Sequence, residues 1–387
     1  MFLITVLFWV CLAHLLYVYV GYPLSITVLA ILFGRKVDRN VAFQPSVSLL
    51  VSAYNEVSVI EAKIQNSLSV DYPAELLEII VISDCSDDGT DDLVRGFEAK
   101  GVRLIRQNER LGKSAALNFA VPQARGQVLV FSDANAIYQP DAVRLLVRHF
   151  SEPRVGYVVG NARYYESGSE SSSAKSESLY WKLETYLKEK ESDFASVVGG
   201  DGALYAIRRE FFTPLQATDI NDFLNPLQII VRGFDGVYER DSICYEEAAK
   251  SFRLEYRRKV RIISRSLNAL RRVPAVLNPF NGLRHWIVLV SHKVLRWFAP
   301  FSMILLLVLS LVLWRSPIYR VVAICQVVFY LLAILGWQGQ GKHGLARAFT
   351  LPFYFCLVNL ASLVGCVRCF RGNLSSQWAP PRQKVAS

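Results

Sequence analysis

Several motifs that mark common cofactor and metal sites are missing from this sequence of 387 residues. Its five histidines are scattered, so a zinc site is not indicated. Its seven cysteines form no paired framework in the polar part of the chain, which fits a reducing compartment. No G-x-G-x-x-G sequence follows the first predicted strand and no Walker A sequence is present. These absences disfavour a Rossmann dinucleotide site and a P-loop.

Charged residues are also absent from the beginning of the chain, since residues 2–33 contain no Lys, Arg, Asp or Glu. Three further apolar runs lie near the other end, at 298–314, 321–337 and 349–367. Each has 17–19 residues, near the lower limit for a helix that crosses a bilayer. The first run has no basic region before it and is about twice the length of a signal-peptide core. We therefore predict an uncleaved membrane anchor, a large water-facing domain and a C-terminal membrane region.

Basic residues beside the apolar runs predict how the chain is oriented. The cluster at 35–39 follows the first run and places the next domain in the cytoplasm, so we predict a multi-pass protein of the inner (plasma) membrane. Four spans would return the C-terminal tail to the outside, yet that tail has four basic residues between 368 and 384. Either one apolar run is re-entrant or interfacial, or the charge rule fails here.

The composition divides the chain into five predicted parts. They are an N-terminal anchor (1–34), a cytoplasmic α/β domain (35–275), an interfacial amphipathic helix (276–297), a C-terminal membrane region (298–370) and a tail (371–387). The basic residues between 250 and 272 are attributed to a solvated or lipid-facing helix, because anionic headgroups attract such clusters. No nucleic-acid partner is expected.

Strands and helices alternate in the predicted cytoplasmic domain. Strands are predicted at 46–52, 78–83, 102–106 and 127–132, with helices at 57–69, 91–100 and 113–123 between them. This alternation predicts a doubly wound, mainly parallel sheet. A strand at 156–165, a surface loop at 168–178 and a helix at 179–190 are predicted to follow.

Polar residues collect at the carboxyl ends of the predicted strands, where ligands of such sheets bind. Lys113 opens a helix, and a lysine at a helix N-terminus can hold a diphosphate. Asp84 can accept hydrogen bonds from a base or a ribose. Asp133 and Asn135 offer oxygen ligands for Mg²⁺ or Mn²⁺ bridging phosphates. Together these residues predict a nucleoside diphosphate held by a divalent cation.

Four segments in order resemble glycosyltransferase family 2, in its membrane-embedded form akin to hyaluronan, cellulose and poly-N-acetylglucosamine synthases. They are VSAYNE at 51–56, VISDCSDDGT at 81–90, GKSAALN at 112–118 and FSDAN at 131–135. The resemblance implies a GT-A (Rossmann-like) fold, a UDP-sugar donor, a glycan or glycolipid acceptor and contact with the lipid bilayer. It implies that the donor-binding residues are Tyr54, Glu56, Asp84, Lys113, Asp133 and Arg261, and that the metal ligands are Asp133 and Asn135.

The resemblance extends to the acceptor side of the site. The sequence GGDGA at 199–203 resembles the loop beside the acceptor sugar, and the acceptor residues implied are Gly200, Asp201, Gly202 and Trp181. Asp222 matches the general base that takes the proton of the attacking hydroxyl. Relatives often have two consecutive acids at this point, whereas this chain has Asn221-Asp222 and is one residue shorter before Pro226. Asp219 therefore remains an alternative base.

One family signature is incomplete. The sequence RKVRI at 258–262 keeps Arg261 of the Gln-x-x-Arg-Trp motif and lacks its glutamine and tryptophan. The leading hypothesis is an inverting, metal-dependent transferase that elongates a polysaccharide. Transfer of one sugar to a membrane lipid and an inactive nucleotide-binding subunit are the alternatives. Four apolar runs are few for a polymer channel, so secretion would need a homo-oligomer or a partner.

Overall fold

A computed structural model describes residues 1–35, 40, 42–165, 172–248, 251–338 and 349–374, with only the backbone for 172–180. Its strands are β1 (Val47–Ala53), β2 (Leu77–Ser83), β3 (Val102–Arg106), β4 (Val128–Asp133), β5 (Ile137–Tyr138), β6 (Val155–Tyr165), β7 (Tyr205–Arg208) and β8 (Asp235–Glu247). Its longer helices are α1 (Phe2–Phe33), α2 (Ile60–Leu68), α3 (Thr90–Arg95), α4 (Lys113–Ala120), α5 (Ala142–Val147), α6 (Ser172–Phe194), α7 (Asn221–Val231), α8 (Phe252–Arg272), α9 (Leu283–Val312), α10 (Pro317–Gln338) and α11 (Thr350–Phe370). Lys36, Arg39 and the end of the predicted tail, from residue 375, lie outside the described residues.

The strands form one eight-stranded sheet in the order β3-β2-β1-β4-β7-β6-β8-β5. Strand β1 pairs in parallel with β2 and with β4, and β2 pairs in parallel with β3. The chain winds outward from β1 to β3 and then returns to the other side of β1 at β4. This reversal opens a crevice beyond the carboxyl ends of β1 and β4, the place where such sheets bind ligands. The predicted α/β class is confirmed, while the antiparallel pairing of β7 with β4 and β6 adds a mixed second half.

Both faces of the sheet are covered, as two consecutive residues of β1 illustrate. Leu49 and Leu50 are both fully buried, although neighbouring side chains in a strand point to opposite faces. Leu49 belongs to a core completed by α2 and α5, through residues such as Ile64 and Leu146. Leu50 belongs to a second core that includes α4, α7 and α8 and continues to Trp297 of α9. Because both faces are buried, the strands are nearly continuous apolar runs.

Four helices in the described part of the chain, α1, α9, α10 and α11, are long and apolar enough to cross a membrane. They contain the four apolar runs found in the sequence. Helix α1 packs along α9 through a core that contains Phe8, Cys11, Leu306 and Leu309. His14 of α1 also hydrogen-bonds the Ser302 hydroxyl of α9 at 2.8 Å.

The predicted separate interfacial helix at 276–297 is not present as a unit. Helix α9 runs from Leu283 to Val312, so most of that segment is the first half of a membrane-type helix. Its Val288 and Trp297 are buried in the core shared with the α/β domain. Trp297 therefore packs this part of the helix against protein.

The predicted surface loop at 168–178 is wrong over its second half. Helix α6 already begins at Ser172, seven residues before the predicted start at 179. Serine is a weak helix former, but tertiary context overrides such a preference. Residues 166–171 lie outside the described part of the chain.

A buried ionic cluster joins α1, α6 and α9. The ring of His292 lies between two carboxylates, 2.5 Å from Glu191 and 3.3 Å from Glu184. Tyr22 of α1 donates a 2.7 Å hydrogen bond to Glu191, and Arg296 of α9 pairs with Glu184. The nearby cations, Lys293 first, keep the pKa of Glu184 well below its usual range despite burial. These contacts attach the first membrane-type helix directly to the α/β domain.

Candidate active site

The loops after β1 and β2 are tied together at the carboxyl-end crevice. Asn55 adopts a left-handed backbone conformation with φ of 53°. Its side-chain amide donates to Asp87 at 2.7 Å, and the Asp87 backbone N–H donates back to it at 3.0 Å. The Glu56 backbone N–H donates to the Thr90 hydroxyl at 2.9 Å. These bonds hold Tyr54 and Glu56, both predicted to bind the donor, at the edge of the crevice.

Asp84, at the end of β2, fixes the loop that precedes α4. Its carboxylate accepts backbone N–H bonds from Leu111 at 2.9 Å and from Gly112 at 2.9–3.0 Å. Gly112 has φ of 91°, which a residue with a side chain rarely adopts. The guanidinium of Arg110 in the same loop lies 3.9 Å from the centre of the Tyr54 ring. Asp84 therefore positions this loop, in addition to any contact with a nucleoside.

Lys113 and Asp133 meet across the crevice. The Lys113 Nζ, in the first turn of α4, lies 2.5 Å from Asp133 Oδ1 at the end of β4. Both side chains are partly exposed, at 21% and 28%. The amine therefore neutralises the carboxylate in this state of the protein. It also stands where a lysine can approach phosphate oxygens at a helix N-terminus.

The loop at 199–203 brings the predicted acceptor residues beside this ion pair. The Gly200 backbone N–H donates to the carbonyl of Asp222, which joins the loop to the first turn of α7. A Cβ at Gly202 would lie 3.4–3.5 Å from Asp222 Oδ2, Asp133 Oδ2 and Lys113 Nζ. A side chain at 202 would therefore occupy the space among these three groups.

Asp222 is the carboxylate of this cluster best suited to accept a proton. Its Oδ1 is buried without a hydrogen-bond partner among the described residues, while the residue as a whole is partly exposed. Burial raises the pKa of Asp222 to about 6, and the negative charges of Asp201 and Asp133 act in the same direction against the opposing Lys113. A carboxylate with such a pKa is a stronger base than an ordinary aspartate and is mostly ionised at neutral pH.

Asp219, the alternative base, is engaged in structural contacts. It is 1% exposed. Its Oδ2 accepts the Gln216 backbone N–H at 2.6 Å and pairs with Arg272 of α8 at 2.9 Å. The geometry therefore favours Asp222 over Asp219 as the proton acceptor.

Helix α8 contributes a row of arginines, of which the sequence interpretation identified one. Arg258, Arg261 and Arg265 are spaced by three and four residues, which places them on one face of the helix. Burial, together with the other two arginines, lowers the pKa of Arg261 to about 10, while Asp133 and Asp222 oppose this change. The 3-4 spacing was the signal in the sequence that could have identified the whole row.

Glu246 of β8 is a further carboxyl group that the sequence interpretation missed. It is 6% exposed. Burial and then the charges of Asp133 and Asp201 raise its pKa well above the usual range of glutamate. The pairing of β8 with β5, at Ile137↔Tyr245, brings this distant residue close to the turn after β4, so its position was not apparent in the linear sequence.

Lys63 of α2 supports the turn after β4 from inside the core. It is fully buried, donates a 2.6 Å hydrogen bond to the Ala136 carbonyl and lies 3.6 Å from the centre of the Tyr138 ring. The Tyr138 hydroxyl in turn donates to the carbonyl of Ala203 at 3.0 Å. This pair connects the turn after Asp133 to the loop at 199–203. The sequence did contain a signal for the burial of Lys63, because this residue occupies an inward position between Ile60 and Ile64 of an amphipathic helix.

Replacement of Lys63 by methionine is expected to lower kcat about tenfold, since small displacements of reacting groups reduce rates strongly. Methionine keeps most of the buried volume and removes the hydrogen bond to Ala136. Steady-state kinetics of the purified variant would test this, with Lys100→Met as the exposed control. Unchanged kcat in a folded Lys63→Met protein would contradict the positioning role.

Asn135 and Trp181 occupy less central places. Asn135 is partly exposed in the turn after β4, which the Ala136 N–H closes by donating to the Asp133 carbonyl at 3.2 Å. Trp181 of α6 stacks on Tyr164 with ring centres 4.6 Å apart. Tyr164 lies near Arg258 of the arginine row, so Trp181 borders the site.

The oxygen ligands fit a cation that is completed by the substrate. No group of three or more His, Cys, Asp or Glu residues that could hold a metal occurs in the described part of the chain. Of the predicted ligands, Asp133 would supply one carboxylate and Asn135 one amide oxygen. Mg²⁺ is commonly bound by one or two carboxylates together with substrate phosphates and water. The residues therefore fit a metal-diphosphate complex better than a protein-only metal site.

The crevice of this partly parallel, partly mixed sheet thus brings together a lysine, an aspartate at a strand end and a second aspartate. Residues 48–214 match the family model described as Glycosyl transferase family 2. This part of the chain is a glycosyltransferase family 2 domain, and the resemblance noted in the sequence is confirmed.

Curated relatives match over a limited region. A poly-beta-1,6-N-acetyl-D-glucosamine synthase of Staphylococcus aureus is 33% identical over 138 residues, covering 35% of this chain and 33% of that protein. A probable glycosyltransferase of Bacillus subtilis is 34% identical over 140 residues, covering 34% of this chain and 33% of that protein. The alignments thus span about a third of the length of these relatives.

A solved structure matches over nearly the whole chain. It is a mannosyltransferase from Pyrobaculum calidifontis in complex with GDP-Man and Mn²⁺, with a TM-score of 0.72 and 20% identity. The match covers 94% of this chain and 99% of that one. The predicted GT-A fold flanked by membrane-type helices is therefore confirmed.

Proposed function

We propose that this protein is an inverting glycosyltransferase that moves a sugar from a UDP-sugar to a growing polysaccharide at the cytoplasmic membrane face. The observation that carries the proposal is the convergence of Asp222, Asp133 and Lys113, whose Oδ2, Oδ2 and Nζ atoms surround the place of a Cβ at Gly202. The similarity to a polysaccharide synthase supports the polymer acceptor. The four membrane-type helices support synthesis at the membrane.

The chain's own residues suffice to describe the proton and charge movements. Asp222 takes the proton of the acceptor hydroxyl as its oxygen forms a bond to the anomeric carbon. The bond from that carbon to the diphosphate oxygen breaks, and the nucleoside diphosphate leaves with both electrons. Lys113 and Arg261 would supply the positive charge that stabilises the leaving group. Mg²⁺ or Mn²⁺, when bound by Asp133 and Asn135, would add Lewis-acid stabilisation of the same charge.

Donor turnover provides the direct test. Full-length protein in lipid nanodiscs would be supplied with Mn²⁺ and a panel of UDP- and GDP-sugars, and release of nucleoside diphosphate would be measured. We expect release with one donor and a ladder of products in the presence of acceptor. Absence of release from every donor, with nucleotide binding retained, would contradict the proposal and favour an inactive nucleotide-binding subunit.

Metal binding is expected to depend on the nucleotide. Lys113 neutralises Asp133, and Asn135 adds no charge, so Mn²⁺ should bind measurably only when UDP supplies phosphate ligands. Titration calorimetry with and without UDP would measure this. Asn135→Asp is expected to bind Mn²⁺ about tenfold more tightly without UDP, because it adds a second carboxylate. Tight binding to the empty wild-type protein would contradict the assignment of Asn135.

A lipid acceptor is the second candidate, and a specific feature of the structure favours it. The segment around Arg261 lacks the glutamine and the tryptophan of the polymerase signature. An apolar cavity among the membrane-type helices lies beside the beginning of α8, the helix that carries Arg261. In the donor assay, a single glycolipid product in place of a ladder would support the lipid acceptor over the polysaccharide acceptor.

A further inference from the structure

A cavity of about 670 Å³ lies where the beginning of α8 meets α9, α10 and α11. Its walls are mainly apolar and aromatic side chains, among them Phe252, Met303, Trp337, Phe353 and Leu360. This volume is in the range of sites that hold organic ligands. The cavity is separate from the crevice that contains Asp133 and Asp222, so its ligand is not the nucleotide.

The surroundings of the cavity define the chemistry of its occupant. Three of its four helices are long and apolar enough to span a membrane, so the occupant can enter from the bilayer. Asn359 is a polar residue in the wall, but its side chain accepts from Tyr19 at 2.9 Å and donates to the Phe355 carbonyl at 3.0 Å. A sugar would leave hydroxyls unpaired against these walls, at a cost of about 1–3 kcal/mol for each buried group. A hydrocarbon chain has no such cost.

One end of the cavity is positively charged. Arg253 lines the cavity at the first turn of α8, is exposed and has no carboxylate partner among the described residues. The N-terminus of this 21-residue helix adds the positive end of its dipole. An anionic headgroup, such as a phosphate, complements this charge, while the attached chain complements the apolar walls.

Helix α8 also connects the cavity to the candidate active site. Arg253 precedes Arg261 by eight residues, which is about 12 Å along a helix at 1.5 Å per residue. A headgroup held at Arg253 is therefore about two turns of α8 away from Arg261. A sugar that extends from the headgroup along α8 shortens this gap to the candidate active site.

We propose that this cavity binds the hydrocarbon chain of a phosphate-bearing membrane lipid, and that a sugar attached to this lipid carries the acceptor hydroxyl. The inference rests on the proposed glycosyltransferase function and specifies its acceptor as lipid-linked. It accommodates both acceptor hypotheses, since a glycan can grow while its first sugar remains attached to a lipid.

Lipid retention by full-length protein tests the cavity directly, with a polyprenyl phosphate as the probe and native mass spectrometry as the readout. Cys356→Trp fills the cavity, whereas Cys325→Trp places the same bulk on the exposed side of α10. Arg253→Ala removes the charge at the cavity, and Arg257→Ala removes an exposed arginine one turn later that does not line it. We expect about tenfold weaker retention for Cys356→Trp and Arg253→Ala, and wild-type retention for both controls.

Recognition of the headgroup is tested by comparing two lipids, one with a phosphate and one without. Wild type should retain polyprenyl phosphate better than neutral polyprenol, and Arg253→Ala should abolish this preference. Equal retention by wild type and both cavity variants would overturn the proposal. The Arg253→Ala variant keeps the cavity volume, so its result stands even if Cys356→Trp fails to fold.

Donor turnover distinguishes failure of this proposal from failure of the proposed function. Release of nucleoside diphosphate to water, without acceptor, should be the same in wild type, Cys356→Trp and Arg253→Ala. Normal release combined with unaltered lipid retention would refute the lipid cavity alone. Absence of release from wild type both with and without acceptor would refute the glycosyltransferase proposal, whatever the lipid result.

Discussion

Asp222→Asn is expected to lower kcat by about 10²–10⁴-fold, the usual contribution of a general base. Asparagine has nearly the same shape and cannot accept the proton of the acceptor hydroxyl. Release of nucleoside diphosphate in the presence of acceptor measures the effect. Asp219→Asn is the matched comparison, because it removes one charge of a buried ion pair with Arg272. That variant should have a lower melting temperature and retain most of its turnover per folded molecule.

The pH dependence gives an independent check on Asp222. Burial raises the pKa of its carboxyl group to about 6, and the base must be ionised to act. The value of kcat/KM should therefore fall about tenfold per pH unit below pH 6 and level off above it. The residual activity of Asp222→Asn should lack this dependence. If wild type kept full activity down to pH 5, or if Asp219→Asn lost more turnover than Asp222→Asn, the assignment would be wrong.

Asp133→Asn is expected to lower kcat/KM about 10³-fold, because Asp133 is the carboxylate that would hold the cation on the donor diphosphate. The substitution also leaves Lys113 without its 2.5 Å partner. Turnover at a series of Mn²⁺ concentrations, together with UDP binding, would measure both consequences. The expected signature is a loss of Mn²⁺-dependent UDP binding that a high concentration of Mn²⁺ does not restore.

A surface variant controls for the change of charge. Asp92 has a side chain that is 82% exposed and pairs with Arg95 on the surface of α3, so Asp92→Asn should leave turnover unchanged. Restoration of Asp133→Asn by raised Mn²⁺ would indicate a weakened site with other ligands. Unaltered Mn²⁺ dependence would show that Asp133 is not a metal ligand.

The candidate site illustrates how far the sequence could be interpreted before the structure was known. Lys113 and Asp133 lie in two of the motifs that resemble the family, and Asp222 lies in a segment that departs from the family in length. The fold brings these three residues to one place. Asp84 likewise comes directly after a predicted strand. Its hydrogen bonds with the backbone of Leu111 and Gly112 show that it also positions a loop, which could not be inferred from the motif. The choice between Asp219 and Asp222 depended on burial and ion pairing. The sequence shows only that two acids lie close together, and it does not show which of them is buried in an ion pair.

The sequence by itself determined the membrane-type runs, the α/β class and the family 2 motifs, because these depend on local periodicity and on residues at short spacing. Only the tertiary structure decided the rest. It joined the interfacial segment to a membrane-type helix, brought Glu246 beside the crevice, placed Lys63 in the core under the turn after β4, and formed the cavity beside Arg253. These features arise from contacts between residues far apart in the chain. Such contacts depend on how helices and strands pack, and no single segment of the sequence contains that information.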